Sequence, residues 1–92
     1  MSDTPERPLR IAVAQYAPRV GDPAHNLAEA VRWARAAAEA GADLVVLPEL
    51  ASSGYTFASE AEAEAGAESA IDGPTVGALA AVCAPTGMHV VV

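Results

Sequence analysis

The sequence predicts an α/β protein whose strands and helices follow the order β-α-β-α-β. Short runs of β-branched and apolar residues occur three times, as expected for buried strands. The segments between these runs carry the 3.6-residue apolar repeat of amphipathic helices. A strand, a helix long enough for a crossover and a second strand form a βαβ-like unit, so the strands are expected to be parallel.

The first strand is predicted from about Arg10 to Gln15, in the run LRIAVAQYA, and the turn-forming sequence PRVGDP follows it. The next segment, NLAEAVRWARAAAEAG, predicts an amphipathic helix, and Gly41 follows it where a left-handed C-terminal cap is expected. The apolar stripe of this helix is predicted to contain Leu27, Ala30, Val31, Ala34 and Ala38.

The second strand, in ADLVVLPEL, is apolar without alternation, which indicates a strand covered on both faces. The run ends in Pro48 and Glu49, and a carboxylate at the rim of a core is costly unless it is paired, hydrated or used. Taken alone, such a group is more often a hydrated or capped strand end. Parallel α/β sheets, however, place ligand sites at the carboxyl ends of their strands, which makes Glu49 a candidate site residue.

The second half of the chain predicts a turn, two helices and a third strand. Ser59 and Glu62 form a possible capping box before the short helix in SEAEAEAGA. Pro74 suits the first turn of the next helix, and Pro85 is expected to end it. The apolar stripe of that helix is predicted to contain Val76, Leu79, Ala80 and Cys83. The run HVVV opens the third strand, and we expect residues 10–92 to be the N-terminal portion of a larger domain, preceded by a disordered leader over residues 1–9.

Composition restricts the classes of function. The net charge of −7, with five arginines and no lysine, argues against a nucleic-acid or anionic-membrane surface. No apolar run approaches membrane-spanning length, so a soluble, cytoplasmic protein is expected. The single cysteine excludes an intrachain disulfide and a multi-cysteine zinc site, and the two isolated histidines give no metal-binding pattern. We therefore expect no cofactor and no metal.

The runs RIAVAQYAP, LVVLPELASSGY and DGPTVGALAAVCAPTGMHVVV, in this order, resemble the carbon–nitrogen hydrolases of the nitrilase superfamily from Arg10 to Val92. The resemblance implies part of an α-β-β-α sandwich, in a homo-oligomeric parent that hydrolyses non-peptide C–N bonds of small amides or nitriles through a thioester. It also implies a Glu-Lys-Cys constellation whose glutamate falls on Glu49. Tyr55 and Phe57 follow closely and would line an acyl pocket or pack in the core.

Two of the three catalytic groups that the resemblance implies are missing from this chain. There is no lysine, and Cys83 lies on the apolar stripe of a predicted helix, where a core role is expected. The 92-residue chain alone is therefore predicted to be inactive. The alternative interpretation is a catalytically inert α/β binding or structural module, which the missing groups and the short length favour.

Overall fold

A computed structural model describes residues 7–54 and 57–92, which form a three-stranded parallel sheet with helices packed on one of its faces. The elements in chain order are β1 (Ile11–Val13), α1 (Pro23–Glu39), β2 (Leu44–Val46), α2 (Glu60–Gly66), α3 (Pro74–Cys83) and β3 (His89–Val91). The α/β class and the alternation of strands with helices are confirmed, with the short α2 and α3 sharing the second crossover. Residues 1–6 of the expected leader lie outside the described residues.

The strand β2 lies between β1 and β3, and both pairings are parallel. Ala12, Val45 and Val90 stand in register and point towards the helices, where Val45 is fully buried. The expectation that both faces of β2 are covered is wrong for the described residues: Leu44 and Val46 are only half-buried, because no described segment packs on the other face. We call this the open face, and its side chains are those of Ile11, Val13, Leu44, Val46, His89 and Val91.

The helix α1 begins with a polar cap and ends at the predicted glycine. Asp22 accepts a hydrogen bond from the backbone N–H of His25 at 3.2 Å, and Pro23 occupies the first turn. Gly41 has a φ of +81°, the left-handed conformation expected for a C-terminal cap. The predicted buried stripe is rotated in the structure, since Leu27 and Val31 are only half-buried. The buried residues of α1 are Asn26, Ala30, Ala34 and Ala37.

The helix α3 packs beside α1 and presents a different face from the predicted one. It starts at Pro74 and ends at Cys83, as the prolines predict, but Ala80 is exposed and was wrongly placed on the buried stripe. Thr75 and Leu79 are the buried residues. Thr75 points inward because its hydroxyl and its N–H are both bonded to the carboxylate of Glu68.

The short helix α2 begins with the predicted capping interaction. The hydroxyl of Ser59 accepts a hydrogen bond from the N–H of Glu62 at 3.2 Å. The Glu62 carboxylate in turn accepts one from the N–H of Ala58, one residue before the position that a capping box predicts. Among the described residues, no helix is both long and apolar enough to span a membrane.

An ion pair holds the chain at the amino ends of the strands. The Arg7 guanidinium donates to both carboxylate oxygens of Asp43, and the N–H of Arg10 donates to one of them at 2.9 Å. These hydrogen bonds, that from Arg7 first, lower the pKa of Asp43 from 3.8 to about 2. The segment before β1 is thereby attached to the residue that precedes β2.

This pair is expected to make stability depend on pH. Because the pKa of Asp43 is lower in the folded state, its contribution is complete above about pH 4 and is lost as the pH falls towards about 2. Asp43→Asn should therefore weaken the fall in unfolding free energy over this range, measured by urea denaturation at a series of pH values. Asp72→Asn, at an exposed carboxylate, is the control and should leave the pH dependence unchanged. An Asp43→Asn profile parallel to that of the wild type would contradict this account.

The open face is expected to make the 92-residue chain associate with itself. Ile11, Val13 and Val91 are each more than half exposed, and together with the strand edges they form a flat apolar surface. Val13→Glu should shift the chain towards the monomer in sedimentation experiments across a wide concentration range, without lowering its stability. Ala36→Glu adds the same charge on an exposed position of α1 and should leave association unchanged. Equal association of both variants would show that the open face is not responsible.

Candidate active site

Glu49 lies at the carboxyl edge of the sheet, three residues after the end of the central strand β2. Its side chain is exposed and lines an open cavity of about 760 Å³. The opposite wall is the loop that connects β1 to α1, from Gln15 to Val20. Glu49 thus follows the end of a strand, as predicted, and the structure adds a cavity beside it.

The loop that carries Glu49 is attached to the loop after β1 by the buried side chain of Asn26. The Oδ1 atom of Asn26 accepts a hydrogen bond from the N–H of Arg19 at 2.7 Å. Its Nδ2 atom donates to the carbonyl of Arg19 at 2.7 Å and to the carbonyl of Ser52 at 3.1 Å. One side-chain amide therefore bonds the backbone of both loops that border the cavity.

Gly54 makes the second close contact between these loops. It adopts a φ of +74°, and a Cβ at this position would lie 2.8 Å from Cγ2 of Val20 and 3.1 Å from its backbone nitrogen. Only a residue without a side chain fits this approach. Asn26 and Gly54 thus fix the loop after β2 against the loop after β1, and we call these two contacts the loop clamp.

A second carboxylate, that of Glu68, lies near Glu49, but both of its oxygens accept hydrogen bonds within the fold. Glu68 and Glu49 both line a neighbouring cavity of about 450 Å³. The Glu68 carboxylate accepts hydrogen bonds from the N–H of Thr75 at 2.8 Å and from its hydroxyl at 2.7 Å. Gly73 provides no side chain to cap α3. The carboxylate of Glu68, seven residues before Thr75, therefore caps the helix in its place.

An aromatic pair supports the loop after β1 from the helix side. The rings of Tyr16 and Trp33 stack with centroids 6.4 Å apart, and the indole N–H of Trp33 donates to Glu29 at 3.0 Å. Arg32 lies over the Trp33 ring at 4.9 Å. Burial, and then the charge of Glu29, raises the pKa of Tyr16, whose hydroxyl is buried without a hydrogen-bond partner among the described residues.

Phe57, the other predicted site residue that the structure describes, does not join Glu49 in this cavity. Phe57 lines a separate cavity of about 250 Å³ between the start of α1 and α2. Tyr55 lies outside the described residues. Cys83 is half-buried on α3 and packs against the core, as predicted, and burial raises the pKa of its thiol. The described residues contain no group of three or more His, Cys, Asp or Glu side chains placed to hold a metal ion.

Sequence reasoning missed Asn26 and Glu68. A signal for Asn26 was available, because it lies four residues before Ala30 on the buried stripe of α1, where a polar residue needs hydrogen-bond partners. Glu68 carried no comparable signal, since it stands after a run of alternating alanine and glutamate that is typical of a solvated face.

Comparison with known proteins identifies the family. The sequence model of the family described as carbon-nitrogen hydrolase matches residues 10–92. This chain belongs to the carbon–nitrogen hydrolase family. A curated protein named Nitrilase, from Pyrococcus abyssi (strain GE5 / Orsay), is 34% identical to it over 83 residues, which cover 90% of this chain and 32% of that protein. The expected place in the nitrilase superfamily is confirmed, and the chain spans about a third of the length of this relative.

The loop clamp gives a direct test of the site geometry. In this hydrolase-family chain, Gly54→Ala should destabilise the fold by at least about 2 kcal/mol, because an unfavourable left-handed backbone is combined with a clash against Val20. Gly21→Ala is the matched control, since Gly21 has a φ of +76° but a Cβ added there would have nothing within 4 Å. It should cost only about 1 kcal/mol, the backbone contribution. Chemical denaturation measures both, and equal losses would contradict the close approach of the two loops.

Proposed function

We propose that this chain supplies the general base, Glu49, of a hydrolase that cleaves non-peptide C–N bonds of small amides or nitriles. The observation that carries the proposal is the position of Glu49: an exposed carboxylate beside a cavity, at the carboxyl end of the central strand, in a chain of the carbon–nitrogen hydrolase family. The cavity volume of about 760 Å³ falls within the range of small-molecule sites.

The chemistry requires two further groups that this chain does not provide. Glu49 would take the proton of a cysteine thiol, and the thiolate would attack the carbon of the substrate's C–N bond. For an amide, a cation would stabilise the oxyanion, and the nitrogen would leave with the proton that Glu49 took from the thiol, which gives a thioester. A nitrile would first give a thioimidate, to which water would add before ammonia leaves and the thioester forms. Glu49 would then deprotonate the water that hydrolyses the thioester. We propose that the lysine and the cysteine come from segments outside this chain, in an intact protein that forms a homo-oligomer.

Cys83 is unsuited to the nucleophilic role. It lies on the half-buried face of α3, and burial raises the pKa of its thiol, so the thiolate is disfavoured at neutral pH. Tyr55 and Phe57 remain candidates for the acyl pocket. Since Phe57 lines a different cavity from Glu49, its side chain would have to contact substrate from the α2 side.

A second candidate is an inert α/β binding or structural module. The absence of lysine from the sequence and the packing of Cys83 against the core favour it. The two candidates predict different sequences for the rest of the intact protein. A hydrolase requires a lysine and a cysteine that follows an apolar strand, and an intact protein without both would be the module.

Substituting Glu49 should abolish most of the activity of the intact enzyme. Glu49→Gln keeps the shape of the side chain but removes the base, so kcat and kcat/KM should fall together by at least about 100-fold. Steady-state kinetics on a panel of small amides and nitriles measures the effect.

Glu39→Gln is the matched control for this substitution, because it removes an exposed carboxylate at the far end of α1. It should leave both kinetic constants unchanged. A Glu49→Gln enzyme with near-normal turnover of its best substrate would refute the role of Glu49 as the base.

A further inference from the structure

The turn between Glu49 and the loop clamp is short and internally bonded. The N–H groups of Ser53 and Gly54 both donate to the carbonyl of Leu50, at 3.1 Å and 2.8 Å. The side chain of Ala51 is buried. The backbone from Leu50 to Gly54 therefore forms one hydrogen-bonded turn, so a displacement of Ser52 is passed to the residue directly after Glu49.

This turn holds a strained residue beside Glu49. Leu50 has a φ of +50°, a left-handed conformation in which the Cβ atom of an L-residue crowds the following carbonyl. Such a conformation persists only where its surroundings impose it. On one side the sheet does so, since the N–H of Leu47 donates to the carbonyl of Val91 at 2.9 Å. On the other side the constraint is the bond from Asn26 to Ser52.

Asn26 is suited to this task because both polar atoms of its side chain are hydrogen-bonded. Its side chain is buried, and both amide hydrogens and the amide oxygen bond backbone groups of the two loops. Removing this amide leaves the carbonyl of Ser52 without its partner and frees Leu50 to relax to an ordinary φ. That relaxation would rotate the backbone that carries Glu49.

We propose that Asn26 is a positioning residue for Glu49: through Ser52 and the Leu50 turn, it fixes where the carboxylate stands at the mouth of the cavity. The expected effect on turnover rests on the proposed function. The expected effect on the position of the turn rests on the hydrogen bonds alone. A base misplaced by about 1 Å can lose on the order of 100-fold in rate, so a residue that never contacts substrate can control turnover.

The test compares Asn26→Ala with Leu79→Ala in the intact protein. Leu79 is buried on α3 and is not part of the loop clamp, so its truncation lowers stability without touching the Glu49 turn. At a temperature where both variants are fully folded by circular dichroism, Asn26→Ala should lower kcat by about 100-fold and change KM by less than about threefold. Leu79→Ala should leave kcat within about threefold of the wild type, as expected for a substitution outside the site.

Hydrogen exchange of the peptide that contains residues 50–54 provides a readout without activity. Exchange there should be faster in Asn26→Ala than in the wild type, by about tenfold or more, and not in Leu79→Ala. If Asn26→Ala does not fold, Asn26→Asp keeps the volume and the acceptor for Arg19, loses both donors, and should show the same kinetic and exchange effects.

The possible failures are distinguishable. If the wild-type protein hydrolyses no amide or nitrile, the proposed function fails, and the exchange comparison decides the role of Asn26 in holding the turn. If the wild type is active and Asn26→Ala loses stability while keeping its kcat, Asn26 is merely structural and the inference is overturned. Unprotected amides at Ser53 and Gly54 in the wild type would overturn it as well, whatever the variants do.

Discussion

The side-chain amide of Asn26 is the contact on which the geometry of the carboxyl edge depends. Parallel strands end side by side, but the loops that leave them diverge, one to α1 and one to α2. Asn26 bonds the backbone of Arg19 in one loop and of Ser52 in the other. Gly54 allows the same two loops to approach within contact distance. These two contacts fix the loop that forms one wall of the cavity beside Glu49. They also hold Leu50 in a left-handed conformation that is unfavourable for a leucine.

The layer beneath this edge is built from small side chains. The residues of α1 that face the sheet and α3 include Ala30 and Ala34, both fully buried, and they allow the helices to lie close to Val45. This arrangement satisfies one face of the sheet and leaves the open face apolar and exposed. An α-β-β-α sandwich places a second sheet on such a face. In this chain, helices therefore cover one face of the sheet, and Glu49 lies at its carboxyl edge. The other face of the sheet is free to pack against a second sheet.

Local signals in the sequence predicted the class, the order of the elements and the place of Glu49. Gly41 and Pro85 marked helix ends correctly because capping and ring geometry act within a few residues. The buried stripes were predicted less well, because which face of α1 and α3 turns inward depends on packing between helices. The role of Glu68 could not be predicted, because its carboxylate bonds a backbone N–H seven residues away, at Thr75. The strain at Leu50 could not be predicted either, because contacts with other parts of the fold impose it.

The central claim is that Glu49 serves as the base for a thiol that lies outside this chain. Alkylation of the intact protein by iodoacetamide across a pH series, with peptide mapping, tests it most directly and needs no substrate. We expect Cys83 to react slowly, because its thiol is half-buried and its pKa is raised. A cysteine outside this 92-residue chain should react fast at neutral pH and should lose that reactivity in Glu49→Gln. Fastest alkylation at Cys83, or a reactive thiol indifferent to Glu49→Gln, would contradict the claim.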